Sequence, residues 1–277
     1  MFNIKYFLII LALVSISISE EYQDVVYLND GSIIKGIIIE TEPNQYIKIK
    51  SGENIFVYQL NQIDIIKKEE IEGYSFEDPN SSRYFFAPTA SPIGLGNSYI
   101  RTTWLFFPSY GFSLSQNVSA EIGISVLPGG DFEDQLKFFS FKYSTNKIDN
   151  KWYGSYGLLY IGQIEFGAGF IFSSFTKGDN NNNISITPGL AYVKNDFELI
   201  FAENITLVFS AKKRLGNSLS LVSENWTFIN EGSVLIMSNS GFRFFGRRLS
   251  VDFSWPFFFS SEGSGVGFPL FTFSYKF

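Results

Sequence analysis

Leu270-Phe271-Thr272-Phe273-Ser274-Tyr275-Lys276-Phe277 closes the chain, and its strict alternation decides how the rest is read. Successive side chains of a strand point to opposite faces, so Phe271, Phe273, Tyr275 and Phe277 share one face and Leu270, Thr272, Ser274 and Lys276 the other. The same period of two sets Val118, Ala120, Ile122, Ile124 and Val126 against Ser119, Glu121, Gly123 and Ser125. It also sets Leu249, Val251, Phe253 and Trp255 against Ser250, Asp252 and Ser254, and Ile184, Ile186, Pro188, Leu190 and Tyr192 against Ser185, Thr187, Gly189 and Ala191. A soluble sandwich would turn the apolar face inward and would have edges to protect. Two features favour the inverse, a closed sheet with its apolar face toward lipid. The second face is rich in Gly, Ser and Thr with isolated charges, and aromatics gather near the strand ends.

The expected architecture is all-β: a transmembrane barrel of about twelve antiparallel strands over residues 83–277. The strands are expected near 83–91, 98–114, 118–127, 136–144, 151–161, 165–177, 183–194, 203–214, 218–228, 233–245, 249–258 and 268–277. Twelve is even, as single-chain bacterial barrels require; ten is the alternative, since the first strand and the break near Gly162 are the weakest boundaries. The connections at 115–117, 145–150, 178–182, 215–217 and 246–248 fall on one side. Those at 128–134, 195–202 and 259–267 fall on the other and are somewhat longer.

Composition narrows the chemistry. The 277 residues hold no cysteine and no histidine, which removes thiol nucleophiles, imidazole bases, disulfides and the usual zinc sites. Phe, Tyr and Trp make up 18% of the chain and charged residues 17%, an unusual balance for a soluble domain. The net charge of −6 repels phosphate backbones, so no nucleic acid partner is expected.

Residues 1–19 carry Lys5, a short apolar core from Tyr6 to Val14, and small residues at Ser17 and Ser19. That is the pattern of a secretory signal peptide, and the run is shorter than the ~20 residues of a membrane-spanning helix. Residues 20–68 then show five short β-branched runs, Asp24–Leu28, Ser32–Glu40, Gln45–Lys50, Asn54–Leu60 and Ile63–Lys67, parted by turn residues such as Asn29-Asp30-Gly31. They fit a small SH3-like or Sm-like β-barrel in the periplasm, either docking a peptide or envelope partner or acting as a passive spacer. Residues 69–82 are acidic and turn-rich, as in a linker.

The terminal segment, with Phe277 last and Tyr275 two before it, resembles the C-terminal signal by which the barrel-assembly machinery recognises outer-membrane proteins. The wider layout resembles a family of outer-membrane β-barrel proteins of Bacteroidetes-like bacteria with an N-terminal SH3-like small barrel. It joins the leader, the stretch from Asp24 to Ile63, Tyr84-Phe85-Phe86-Ala87-Pro88-Thr89-Ala90, Glu224-Asn225-Trp226 and Phe242-Arg243-Phe244-Phe245-Gly246. The resemblance implies a fold, an outer-membrane location and contact with outer-membrane lipids, and it carries no activity.

Alternation aims Arg101, Glu121, Lys142, Lys212, Arg214, Glu224, Arg243 and Asp252 at the lumen, either as a salt-bridged plug or as a constriction that selects small polar solutes. Phe271, Phe273, Tyr275 and Phe277 are the assembly-signal residues. Asp131, Glu133 and Asp134 form an acidic outer loop, a solvated segment or a weak cation site. Gly263-Ser264-Gly265-Val266-Gly267 resembles a dinucleotide loop but no helix follows it, so no cofactor is expected. Two functions follow: a narrow pore or transporter for small molecules, or a non-conducting structural or adhesion protein whose small domain binds an envelope partner. Catalysis is the least supported class, because the known outer-membrane barrel enzymes resemble one another in relying on histidine and this chain has none.

Overall fold

The computed structural model describes residues 22–70, 76–145, 152–196, 198–230 and 233–277, and no α-helix occurs among them. The chain divides into two compact units, whose described residues are 22–70 and those from Phe76 onward. The leader at 1–19 and the connection at 146–150 lie outside the described residues.

The first unit is a five-stranded antiparallel sheet: β1 Tyr22–Leu28, β2 Ile33–Glu42, β3 Tyr46–Ser51, β4 Asn54–Gln59 and β5 Ile63–Glu70. A single 3-10 turn, Leu60–Gln62, precedes β5. The strand order is β4-β3-β2-β1-β5, so the ladder stays open between β4 and β5. Asn29-Asp30-Gly31 makes the expected turn, with the Leu28 amide donating to Ser32 O at 2.9 Å and Gly31 at φ +86°. Val26, Ile47 and Ile49 form the core, packed by Leu28, Ile34, Ile38, Tyr58, Leu60 and Ile63. β2 meets β3 so closely at Gly36 that a Cβ there would lie 2.3 Å from Lys50 O.

The second unit is a ring. Its strands are β6 Ser98–Thr103, β7 Phe107–Ser113, β8 Val118–Ile124, β9 Lys137–Ser144, β10 Trp152–Gly162, β11 Phe166–Gly178 and β12 Asn183–Asn195. They continue with β13 Glu198–Phe201, β14 Thr206–Arg214, β15 Leu219–Asn230, β16 Ser233–Phe245, β17 Leu249–Ser260, β18 Gly263–Val266 and β19 Leu270–Lys276. Pairing is antiparallel throughout, and β19 with β6 and β11 with β12 complete a closed barrel of twelve strands. The short β13 and β18 are appended to β12 and β17. The wall is uneven: β6 to β9 and β19 have 6–8 residues, whereas β10 to β12 and β15 to β17 have 11–13.

The two faces differ in exposure as the period of two requires. On β12, Ile184 is 54% exposed, while the adjacent Ser185 is 2% exposed. On β19, Thr272 and Ser274 are buried and Tyr275 and Phe277 are exposed.

Twelve strands are reached by a different route from the one the sequence suggests. Residues 83–91 form no barrel strand; their only ladder contact is an isolated bridge between Arg83 and Pro88. Proline lacks the N–H a central strand needs, and the segment's amides are satisfied within its own turns or by side chains such as Glu224 and Thr176. Residues 98–114, read as one strand, are the two strands β6 and β7, joined by a hairpin at Trp104-Leu105-Phe106. The expected linker at 69–82 also divides differently: Glu69 and Glu70 extend β5, while Phe76, Asp78 and Asn80 are buried in the second unit.

Candidate functional site

Residues 76–97 occupy the inside of the barrel. The segment turns back on itself, with the Thr89 amide donating to Ser82 O at 3.1 Å and the Tyr84 amide to Ala87 O at 2.9 Å. Its tip is Tyr84 to Ala87. Because no sheet satisfies this backbone, its polar groups must find partners on the inward face of the wall.

At the tip, the amides of Phe85, Phe86 and Ala87 all donate to Glu224 Oε2 at 2.9 Å. Successive amides converging on one anion form a nest. The other oxygen, Oε1, accepts from Trp226 Nε1 at 2.7 Å, two residues along the same face of β15. Lys142 on β9 does the reverse, its ammonium donating to Ser82 O, Thr89 O and Ser91 O at 2.9, 2.9 and 2.6 Å.

Arg243 is the centre of the base of the segment and is fully buried. It faces Asp252 across the β16–β17 ladder, donating Nε to Oδ1 at 2.6 Å and Nη2 to Oδ2 at 3.1 Å. Nη1 reaches Asp78 Oδ2 and Asn80 O, each at 3.0 Å, and Nη2 reaches Tyr84 O at 2.6 Å. Lys212 on β14 donates to the same Asp78 Oδ2 at 2.6 Å. Arg83 lies 3.5 Å from Asp252 and donates to Ser274 Oγ at 2.8 Å. A second cluster joins Arg101 Nη2 to Glu121 Oε1 at 2.6 Å, with Tyr99 OH and Ser109 Oγ completing the carboxylate at 2.8 and 2.6 Å. Arg101 Nη1 also donates to Phe85 O at 3.3 Å. Hydroxyls complete the seal: Tyr84 OH donates to Asn183 Oδ1 at 2.7 Å, and the Ala90 amide donates to Thr176 Oγ1 at 2.8 Å.

Of the lumen candidates, Arg101, Glu121, Lys142, Lys212, Glu224, Arg243 and Asp252 are buried on the inward face. Arg214 is half-buried at the end of β14, donating to Asn181 Oδ1 at 2.6 Å and Gly216 O at 2.9 Å. The partners on the segment, Asp78, Asn80, Arg83 and Tyr84, fall in stretches that read as linker and strand. The Asp78-Pro79-Asn80 turn and Pro88 are the only local signs against that reading. Among the described residues the buried ions are five cations, Arg83, Arg101, Lys142, Lys212 and Arg243, and four anions, Asp78, Glu121, Glu224 and Asp252. Burying such groups costs several kcal/mol each unless they are paired, and the bonds above answer that cost.

Phe271, Phe273, Tyr275 and Phe277 lie on the outward face of β19, where Phe271 packs on Phe253 at 4.9 Å between ring centroids. Asp131, Glu133 and Asp134 are exposed, and no cluster of three or more carboxylates able to hold a metal ion occurs among the described residues.

The lumen departs from the sequence reading in one respect. Its ionised side chains gather toward the end where β6 begins and β19 ends, while Thr103, Ser125 and Thr206 supply buried hydroxyls at the other. Toward the opposite end, where the longer loops are, the series along β15 runs Ser220, Val222, Glu224, Trp226, Phe228, and along β11 Thr176, Ser174, Phe172, Phe170, Ala168. Tyr84, Phe85, Phe170, Phe172, Val208, Val222 and Trp226 form a cluster where the two zones meet.

No protein-family model matches this chain, and no curated protein does. The likeness to a Bacteroidetes-type family therefore rests on its residues alone. A solved structure of a loop L8 deletion mutant of OmpT, an outer membrane protein of Vibrio cholerae, aligns over 92% of this chain and 96% of that one, with 8% identity and a TM-score of 0.36. A score that low carries no argument, and the barrel assignment stands on the strand pairing itself.

Proposed function

We propose that this chain is an outer-membrane β-barrel whose lumen is closed at rest by residues 76–97, and that it acts as a narrow, gated passage for small molecules. The observation that carries the reading is the buried lattice in which Glu224, Lys142, Lys212, Arg101 and Arg243 all bind this one segment. A barrel built only for rigidity has no need to fill its centre with ions. Withdrawal of the segment would expose those same groups to water, which solvates them, so the open state is reachable.

Support for the membrane comes from the outward face. Ile171, Phe175, Ile184, Phe209 and Trp255 are each more than 40% exposed. Apolar surface on that scale is unfavourable in water and suited to lipid. In this reading outer-membrane lipids surround the wall, the barrel-assembly machinery reads the β19 residues, the signal peptide directs export, and the SH3-like first unit stands in the periplasm. No catalytic role is assigned, since each buried carboxylate is committed to the lattice.

The test is conductance in planar bilayers. Wild-type protein should be silent, and Glu224→Ala combined with Arg243→Ala should open discrete single-channel steps. Silence of both proteins across a wide voltage range rejects the passage. A second reading then takes its place, a non-conducting envelope protein whose first unit binds a partner. It is favoured by the exposed Ile37, Ile39, Ile55 and Val57 of β2 and β4.

A further inference from the structure

On the loop side of the plug lie two adjoining cavities of about 440 and 750 Å3, both bordered by Leu159, Ile161, Ala168, Trp226 and Phe228, the larger opening outward past Ile200 and Phe201. Each lies within the roughly 300–1,000 Å3 that small-molecule sites occupy. The smaller one has Phe86 of the plug and Arg101 at its floor, and Trp104, Phe107 and Phe138 along its side. A wall meant only to pack would fill this space. Here Trp226 and Phe228 share the lining with the small Ala168 and Ala191.

The lining also states what can enter. Among the described residues, Arg101 is the one ionised side chain on the smaller cavity, its guanidinium taken up by Glu121, Ser109 and Phe85 O, while the larger cavity has the exposed Glu203 at its rim. In the smaller cavity, against Trp226 and the plug tip, a charged ligand would therefore lose its hydration without gaining a partner. An apolar one gains the dispersion and area terms in full.

We propose that this chamber is a binding site for an uncharged hydrophobic small molecule, which rests on the plug tip and is held against Trp226 and Phe228. It deepens the passage reading by assigning the cargo class, and it rests on that reading for its membrane setting.

The experiment uses the full chain in phosphatidylcholine vesicles, with Trp104→Phe, Trp152→Phe and Trp255→Phe leaving Trp226 as the sole tryptophan. The probe is 12-bromododecan-1-ol, whose bromine quenches indole on contact. Quenching should saturate at half or less of the starting emission, and Ala168→Phe or, independently, Ala191→Phe should raise the half-saturating concentration at least tenfold. The carboxylate analogue, 12-bromododecanoate at pH 8, should need at least tenfold more. Trp226 left unquenched, or quenching that is linear in probe and indifferent to both fillers, overturns the site; equal potency of the carboxylate overturns the uncharged class. Flotation of the same samples reads the membrane setting separately: protein that stays at the bottom of the gradient fails the outer-membrane reading, and floated protein without saturable quenching fails only the chamber.

Discussion

Arg243 shows how one side chain holds three segments at once. Its planar fork ties Asp252 on β17, Asp78 at the start of the plug and the Tyr84 carbonyl at the tip. Replacement by Ala leaves two buried carboxylates short of a partner, a loss on the order of 3–5 kcal/mol. The temperature at which the folded barrel loses its fast gel mobility should fall accordingly. Lys at this position should not restore it, because a single ammonium cannot span the fork. Glu224→Ala should act more locally. The nest at the tip loses its anion, and a cysteine placed at Phe86, the only thiol in a chain that has none, should react with a maleimide faster than in the Glu224 background. The inward direction of both residues is legible from alternation. Their partners are not, since Asp78 and Tyr84 act through a fold of the backbone that no period announces.

A residue-scale effect of pH belongs to the first unit. Hydrogen bonds from Lys48 and then Tyr46 hold the exposed Glu40 carboxyl below its ordinary value. A folded-state value below the unfolded one means that the contribution to stability is present above the unfolded value and is lost as pH falls through the folded one. An NMR titration of the Glu40 carboxyl in the full chain should therefore show a depressed midpoint, and Lys48→Ala should move it upward.

Among the elements, the hairpin between β6 and β7 was hidden because it lacks the usual signs. Trp104 and Leu105 take φ of +49° and +66°, positions normally filled by Gly or Asn. The turn is imposed from outside: Trp104 Nε1 donates to Pro269 O at 2.6 Å, its amide donates to Phe271 O at 2.9 Å, and its ring meets Phe107 and Phe268 at 6.0 Å. Trp104→Ala should destabilise the barrel, though by less than the roughly 3–5 kcal/mol of a fully buried Trp. Thermal loss of near-ultraviolet ellipticity would register it. The long strands β12 and β17 were legible because Ile184 to Tyr192 and Leu249 to Trp255 each alternate with a period of two. The plug imitated a strand over Tyr84 to Ala90 and was betrayed only by Pro88.

For the molecule as a whole, closure of the β19–β6 seam removes every edge from the ring, so that no row of unpaired N–H and C=O groups is left along it and the wall comes apart only as a unit. Detergent-extracted protein should therefore run faster on gels unheated than boiled. A single mobility at both temperatures would contradict a lipid-facing closed wall. Sequence alone conveyed the ring and the polarity of its faces, yet not the division of its interior into an ionic and an apolar half. That division follows from which inward positions lie near the loops, a matter of register between distant strands.

The uneven wall has its own consequence. At about 3.4 Å per residue and a tilt of about 40°, a six-residue strand rises roughly 16 Å and a thirteen-residue strand roughly 34 Å, against an apolar band about 25 Å tall. With the wall set in a membrane as proposed, lipid bordering β6 to β9 has to dip, its tails compressed and disordered, while lipid on the far flank stretches. Such a depression, a notch in the leaflet, brings the mouth of the barrel nearest to the oil.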